Sequence, residues 1–265
     1  ETVLSLNQKY FKKIEIPQNE LKEKIAELSG IEFNRKLTAA VFTGIIINDD
    51  FKVKKYFLEN YKKDFALPVF VISKPGSNQT KNLVWLPQKG KEEILNTALL
   101  TSFLNNGYTV ISADLPGIGE LFDPGFRGDG FVQNVPFNYT FGANLVGKSI
   151  PGIQAEALDL LVQFVQNDFP EVKIDILSEE NMESVVLHYA AVKNPFSKIV
   201  LLNPLQSNIN LLKTEYYNPQ LAYNVVPGSL QFYDFEDLKS FLPENSVWSA
   251  KLSHTNDEKT KDYLN

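Results

Sequence analysis

The sequence predicts an α/β protein built on one mainly parallel central sheet that opens with antiparallel strands. Three observations carry that expectation. Near the N-terminus, "TGIIIND", "FKVKKYFLEN" and "ALPVFVISKPG" are strand-like runs separated by the charged turns at Asp49-Asp50 and Lys62-Lys63-Asp64, a spacing that suits an antiparallel meander. From Asn82 onward the pattern becomes strand, helix, strand, helix, and strands joined by crossover helices run parallel. The helices carry apolar stripes, Ile94, Ala98, Leu99 and Phe103 in one and Ile153, Ala157, Leu160, Leu161 and Phe164 in the next, as helices packed on a sheet require.

The elements follow in order. "NELKEKIAELSG" places Leu21, Ile25 and Leu28 on one helical face, with Asn19 as a cap and Gly30 as a stop. Residues 1–38 are read as a helical extension of a single domain that takes in the whole chain, 1–265. After the meander come "NLVWLP", a helix over 91–105, "TVISADLPG", a helix over 153–167, "KIDIL", a helix over 182–192, "KIVLLNP" and "SVWSAKL". Asp114 in "ADLPGIGE" reads as a turn and cap residue, with Gly117 and Gly119 giving the backbone freedom. Trp85 and Trp248 sit in or beside strands and are expected in the core or on a cleft floor. Two connections, 115–152 and 206–245, exceed ordinary α/β loops and fall at the carboxyl ends of strands, where open sheets bind ligands.

Composition excludes several classes. A chain of 265 residues, 43% hydrophobic, can bury one large core. A formal charge of −6 and a pI near 5.1 argue against nucleic acid, which draws its affinity from clustered Lys and Arg. The Lys52–Lys55 and Lys62-Lys63 patches are short and flanked by acids, as solvated strand edges and turns are. No apolar run approaches the roughly 20 residues that span a bilayer, and no signal peptide is seen. The chain starts at Glu1 and has Met182 as its single methionine, as in a processed chain, an excised domain or an accessory part of a longer polypeptide. With no cysteine there are neither disulfides nor thiol chemistry, a composition that fits the cytosol and many exported proteins equally well. A secreted or periplasmic setting is the expected compartment. The sequons at Asn78 and Asn138 read as chance occurrences.

Several segments, in this order, resemble the α/β-hydrolase superfamily and in particular its acetyl-xylan-esterase-like branch. They are "DDFKVKKYFLEN" with "LPVFVISKPG", then "LVWLPQKGKEE", "GYTVISADLPGIGE", "LVGKSIPGIQAEALDLLVQFV" and "VPGSLQFYDFEDLKSFLP". The resemblance implies a three-layer sandwich with helices on both faces of the sheet, and ester hydrolysis by a Ser-His-Asp triad in carbohydrate processing. Its nucleophile lies in Gly-x-Ser-x-Gly, on a strained turn between strand and helix. Laid on "KIDILSEENMESVVLHYAA", that pattern puts Ser178 at the first glycine, Glu180 at the nucleophile and Met182 at the second glycine. The elbow is therefore read as degenerate and the protein as catalytically silent or impaired, since a carboxylate attacking an ester would form an anhydride. The alternative is an active acetyl esterase that uses Ser178 with His254 in a rearranged site.

The other parts of a triad are sparse. His254 is the one histidine late enough to be the base, with Ser253 and Asp257 beside it; Asn203 ends its strand without a carboxylate. Ser184 and His188, four apart, could share a hydrogen bond, but they read as surface residues of a helix whose Val185, Val186 and Tyr189 pack inward. Beside the elbow, "LPQKGKEE" offers Gly90 and a helix start as the oxyanion side. Gln88, Glu179, Asn181 and Arg127 are the candidate binding residues, for a carbohydrate or small ester. No metal site is expected, because two distant histidines give no ligand pair, and Glu179, Glu180 and Glu183 read as a solvated acidic helix start. No cofactor is expected either, since "GIGE" lacks the further glycine of a dinucleotide fingerprint. Phe122, Phe126, Phe131, Phe137, Tyr139 and Phe141 are read chiefly as anchors for the long loop they punctuate.

Overall fold

The three opening strands pair as their spacing predicts. In a computed structural model that describes residues 1–76, 79–122, 131–132, 135–170, 172–205, 207–216 and 218–251, β1 (Leu37–Ile47), β2 (Lys52–Asn60) and β3 (Ala66–Ser73) form the antiparallel meander. Strand β3 pairs antiparallel with β5 (Tyr108–Ala113). From β5 the ladder runs parallel through β4 (Lys81–Leu86), β8 (Ile174–Glu179), β9 (Phe196–Leu202) and β10 (Val247–Ala250). The eight-stranded order is β1-β2-β3-β5-β4-β8-β9-β10. Order reverses at β4, which has β5 on one side and β8 on the other, so the carboxyl ends of these three strands open a crevice.

Alternation along the strands divides the core. Val84 and Leu86 of β4 point to the face covered by α5 (Ile150–Asp168) and α6 (Met182–Val192); Leu83 and Trp85 point to the opposite face, covered by α3 (Ala98–Asn105). Helix α2 (Gln18–Ser29) and α7 (Phe235–Lys239) cover α6 from outside, so α6 is buried on every side. Its apolar circumference of Val185, Val186, Leu187, Ala190 and Ala191 accounts for this. Among the described residues the long connections fold locally, the first into a 3-10 turn at Gly119–Leu121, the short paired strands β6 (Phe131–Val132) and β7 (Val135–Pro136) and α4 (Phe137–Leu145), the second into three 3-10 turns and α7. Helix α1 (Val3–Tyr10) precedes α2.

Three local expectations need correction. Asn19 does not cap α2: the helix starts one residue before it and Pro17 holds the cap position, which pre-sets φ without offering a side-chain acceptor. The expected helix over 91–105 is split at Thr97, whose extended backbone and hydroxyl, accepting from the Leu100 N–H at 3.1 Å, start α3 afresh after a 3-10 turn over Lys91–Asn96. Helix α5 begins at Ile150 rather than 153, because the Ser149 hydroxyl accepts from the Gly152 N–H at 3.1 Å and Pro151 suits the first turn. Gly152 is also where α5 meets the end of α2: a Cβ there would lie 2.0 Å from the Ser29 carbonyl oxygen.

Candidate functional site

The bend between β8 and α6 stands at the mouth of the crevice. Ser178 is its last strand residue before the carboxylates, paired with Leu86 on one side and Leu201 on the other. It is 1% exposed, and its hydroxyl has no hydrogen-bond partner among the described residues. The Glu179 carboxylate accepts from the Trp85 indole N–H at 2.7 Å, and burial holds its carboxyl above the ordinary range. Glu180 then takes a left-handed backbone, φ 47°, which side chains bearing a Cβ adopt at a cost. Its N–H donates to the Leu202 carbonyl at 2.9 Å and its own carbonyl accepts from Glu183 N–H at 3.0 Å, so the turn is tied at both ends.

Asn181 opens towards the second long connection. Its side-chain oxygen accepts from the Asn224 amide at 2.8 Å. A cavity of about 400 Å³ lies against Asn181 and Met182, walled by Gln88 after β4, by Gly117 to Gly119 after β5, and by Gln220 and Tyr223 from the second connection. Gln154 of α5 also faces it, held by a bond from its side-chain amide to the Pro116 carbonyl at 2.9 Å. Both connections therefore contribute walls at the strand ends, as their lengths suggested, and Phe122 of the first connection is one of the lining rings.

A buried ion pair fixes the loop that carries Gln88. Lys91 and Asp114 are each 1% exposed, with Nζ 2.6 Å from the carboxylate. Asp114 also accepts from the backbone N–H of Lys91 at 2.8 Å and of Glu120 at 3.0 Å, and Glu120 reaches Lys91 from the surface. The turn role read for Asp114 thus holds, and it extends further: one carboxylate staples the loop after β4 to the loop after β5. Gly119 permits this, because a Cβ at that position would lie 2.3 Å from the Asp114 carboxyl carbon. The Lys91 ammonium stands 4.7 Å from the Phe70 ring centroid, a further favourable contact for a desolvated cation.

Two sequence readings are overturned by burial. Ser184 and His188 are not surface residues: they are 0% and 2% exposed, because α2 and α7 cover the side of α6 expected to meet water. The hydrogen bond between them is long, 3.4 Å; His188 Nδ1 lies closer to the Ser184 carbonyl, 2.7 Å, and Nε2 meets the Tyr233 hydroxyl at 3.3 Å. Desolvation lowers the imidazole to about 4. Nor are the acids at the start of α6 a solvated cluster. Glu183 is 1% exposed and accepts from the Leu205 N–H at 2.5 Å, while Lys239 Nζ stands 3.4 Å from its other oxygen. Burial pushes the Glu183 carboxyl up against both of these partners.

Of the candidate binding residues, the fold brings Gln88 and Asn181 to one cavity and places Glu179 behind them against Trp85. Arg127, Ser253, His254 and Asp257 lie outside the described residues. Gln154, Gln220, Tyr223 and Asn224 were not anticipated. Gln154 left little signal, being one of several polar residues of its helix, with Glu156, Asp159 and Gln163; the other three lie in a connection without periodicity. Among the described residues no three His, Asp or Glu side chains converge as a metal site, and no helix is long and apolar enough to cross a membrane.

No protein-family model matches the sequence, and no curated protein is significantly similar to it. Solved structures are similar in fold. A Bacteroides fragilis NCTC 9343 protein, provisionally assigned as an acetyl xylan esterase, superimposes with a TM-score of 0.69 at 14% identity, over 88% of this chain and 66% of that one. Methylesterase BT1017 superimposes with a TM-score of 0.60 at 10% identity, over 93% of this chain and 53% of its own. Acetyl xylan esterase 1 from Thermoanaerobacterium sp. JW/SL YS485 gives a TM-score of 0.51 at 14% identity, over 99% and 96%. The chain thus spans just under two thirds of the first of these proteins and about half of the second. Sheet order, the antiparallel opening, the strained turn after β8 and these superpositions together identify the fold as that of the α/β-hydrolases.

Proposed function

We propose that this is an esterase-like protein whose serine chemistry is silent or impaired and whose cleft binds a small ester or acylated carbohydrate. One observation carries the reading: the left-handed position at the bend between β8 and α6, where this fold presents a nucleophile, belongs to Glu180. A carboxylate there can accept hydrogen bonds or repel anions, but acyl transfer to it would produce an anhydride in place of an ordinary acyl-serine. Ser178, two residues earlier, is enclosed between neighbouring strands and offers no path to a substrate carbonyl. The cavity beside the bend combines carboxamides (Gln88, Gln154, Asn181, Gln220) with the Phe122 and Tyr223 rings, and the one charged side chain on its described wall, Lys89, is paired with Glu93 at 3.5 Å. Neutral donors and acceptors next to aromatic faces suit a hydroxyl-rich, uncharged ligand. The names of the structural neighbours, acetyl xylan esterases and a methylesterase, support the same ligand class.

The test combines a covalent probe with a binding measurement. A serine-reactive phosphonate is expected to leave the protein unlabelled, while acetylated xylo-oligosaccharides raise its melting temperature without release of acetate. Stoichiometric labelling, or acetate release that Ser178→Ala abolishes in a folded protein, would replace this reading with a working ester hydrolase built on Ser178 and His254.

A further inference from the structure

The outer edge of the sheet is long, apolar and uncharged. Strand β1 runs for 11 residues, Leu37 to Ile47, without one ionisable side chain or proline. Phe42, Ile45, Ile46 and Ile47 are 54%, 48%, 42% and 66% exposed. β1 stands at the end of the strand order, and among the described residues its one neighbour is β2. Among the described residues, the single backbone N–H of β1 bonded outside that ladder is that of Leu37, which donates to the Gln163 side chain. Sheet edges are ordinarily blunted by lysine, proline, a short strand or a covering element. Among the described residues the devices here are two irregularities of register against β2, one between Leu37 and Ala39 at the start of the strand and one between Phe42 and Gly44 at its middle.

Charge distribution points to what covers this edge. Exposed Lys36 precedes the strand and exposed Asp49 and Asp50 follow it, and none of the three is in an ion pair among the described residues. Two copies placed edge to edge about a twofold axis run antiparallel, so the basic end of each strand meets the acidic end of the other. Between the ends, only apolar and hydroxyl side chains face one another, so no like charges are brought together. Such a contact would cover on the order of 1,000 Å² in total, about the lower bound of a specific interface. We infer that β1 pairs with β1 of a second copy, antiparallel about the Phe42–Gly44 region, to make one continuous sheet across a homodimer, with Lys36 of each copy against the Asp49-Asp50 turn of the other.

Sedimentation across a concentration series is the test, with circular dichroism confirming that each variant stays folded. The wild-type chain is expected to sediment as a dimer that dissociates on dilution, and Ile45→Lys as a monomer at the same concentrations. Lys36→Glu is expected to weaken the dimer by roughly tenfold, since symmetry repeats each cross-strand charge pair. Combining it with Asp50→Lys is expected to restore association. A wild-type monomer at about 100 μM, where an interface of this size should be populated, would overturn the inference. So would a dimer that Ile45→Lys and the charge exchange leave unchanged, or an edge occupied by a different protein while the chain itself stays monomeric.

Discussion

Glu180 holds a backbone conformation that costs a residue with a Cβ about 1 kcal/mol or more, and glycine adopts it freely. Glu180→Gly is therefore expected to raise the unfolding free energy by about 1 kcal/mol in urea titration. A loss instead would mean that the carboxylate makes contacts worth more than the strain it imposes. His188 gives a second test at this scale. Its imidazole titrates near 4 in the fold against 6.5 ordinarily. Between those values the unfolded chain holds the extra proton, so the histidine's contribution is intact above pH 6.5 and is lost as pH falls towards 4, by up to about 3 kcal/mol. The buried carboxyls of Asp175, Glu179 and Glu183 are raised and act in the opposite sense, favouring the fold as they protonate. They are common to the wild type and to His188→Gln, so the difference between the two isolates the ring. That difference is expected to shrink as the pH drops through this window; a constant difference would show that the ring is protonated in the fold as readily as in water.

Among the elements, the loops that frame the cleft depend on the Lys91–Asp114 pair more than on any apolar contact of their own. Lys91→Met leaves a buried carboxylate with only backbone donors, and the expected loss is about 3 kcal/mol in chemical denaturation. Adding Asp114→Asn should recover part of it, because the uncompensated charge is then gone. A loss within about 0.5 kcal/mol, the range of ordinary surface changes, would show that water reaches the pair. The elements themselves were legible where periodicity spoke. The strand runs, the apolar stripe of α5 and the strand-helix junction at Met182 stand as read, whereas the stripe over 91–105 is broken at Thr97, leaving Ala98 exposed and Leu100, Phe103 and Leu104 as the buried residues of α3. What failed was exposure. Ser184, His188 and Glu183 were read as solvated because their residue types favour water. Their burial is decided by α2 and α7, which pack on α6 from distant parts of the chain, and its local trace lies in the neighbours, the apolar circumference of α6, rather than in these three residues themselves. Gln88 and Asn181 could be placed from the position of the bend, whereas Gln220 and Tyr223 reach the cavity through turns whose course no local rule dictates.

The molecule as a whole is organised by one sheet that serves two cores. Adjacent residues of β4 anchor opposite layers, Val84 and Leu86 on the α5 face and Leu83 and Trp85 on the α3 face. Strands β3, β5 and β8 are shared in the same way, through Val69, Ile111 and Ile176 on one side and Phe70, Val110 and Leu177 on the other. Neither layer can melt without exposing strands that the other needs, so the described fold is expected to unfold as one unit. Leu161→Ala on the α5 face and Leu100→Ala on the α3 face each remove a side chain at most 1% exposed. Each should cost about 3 kcal/mol. At about 2–4 °C per kcal/mol for a chain of this size, each should lower the melting temperature by roughly 6–12 °C. The decisive reading is coincidence. Tryptophan fluorescence, which reports Trp85 in the α3 layer and Trp248 on β10, and far-ultraviolet circular dichroism, which is dominated by the helices of both faces, should give superimposable transitions in the wild type and in both variants. If Leu100→Ala moved the fluorescence transition and left the dichroism transition in place, the two layers would be separate cooperative units, and the shared strands would not couple them.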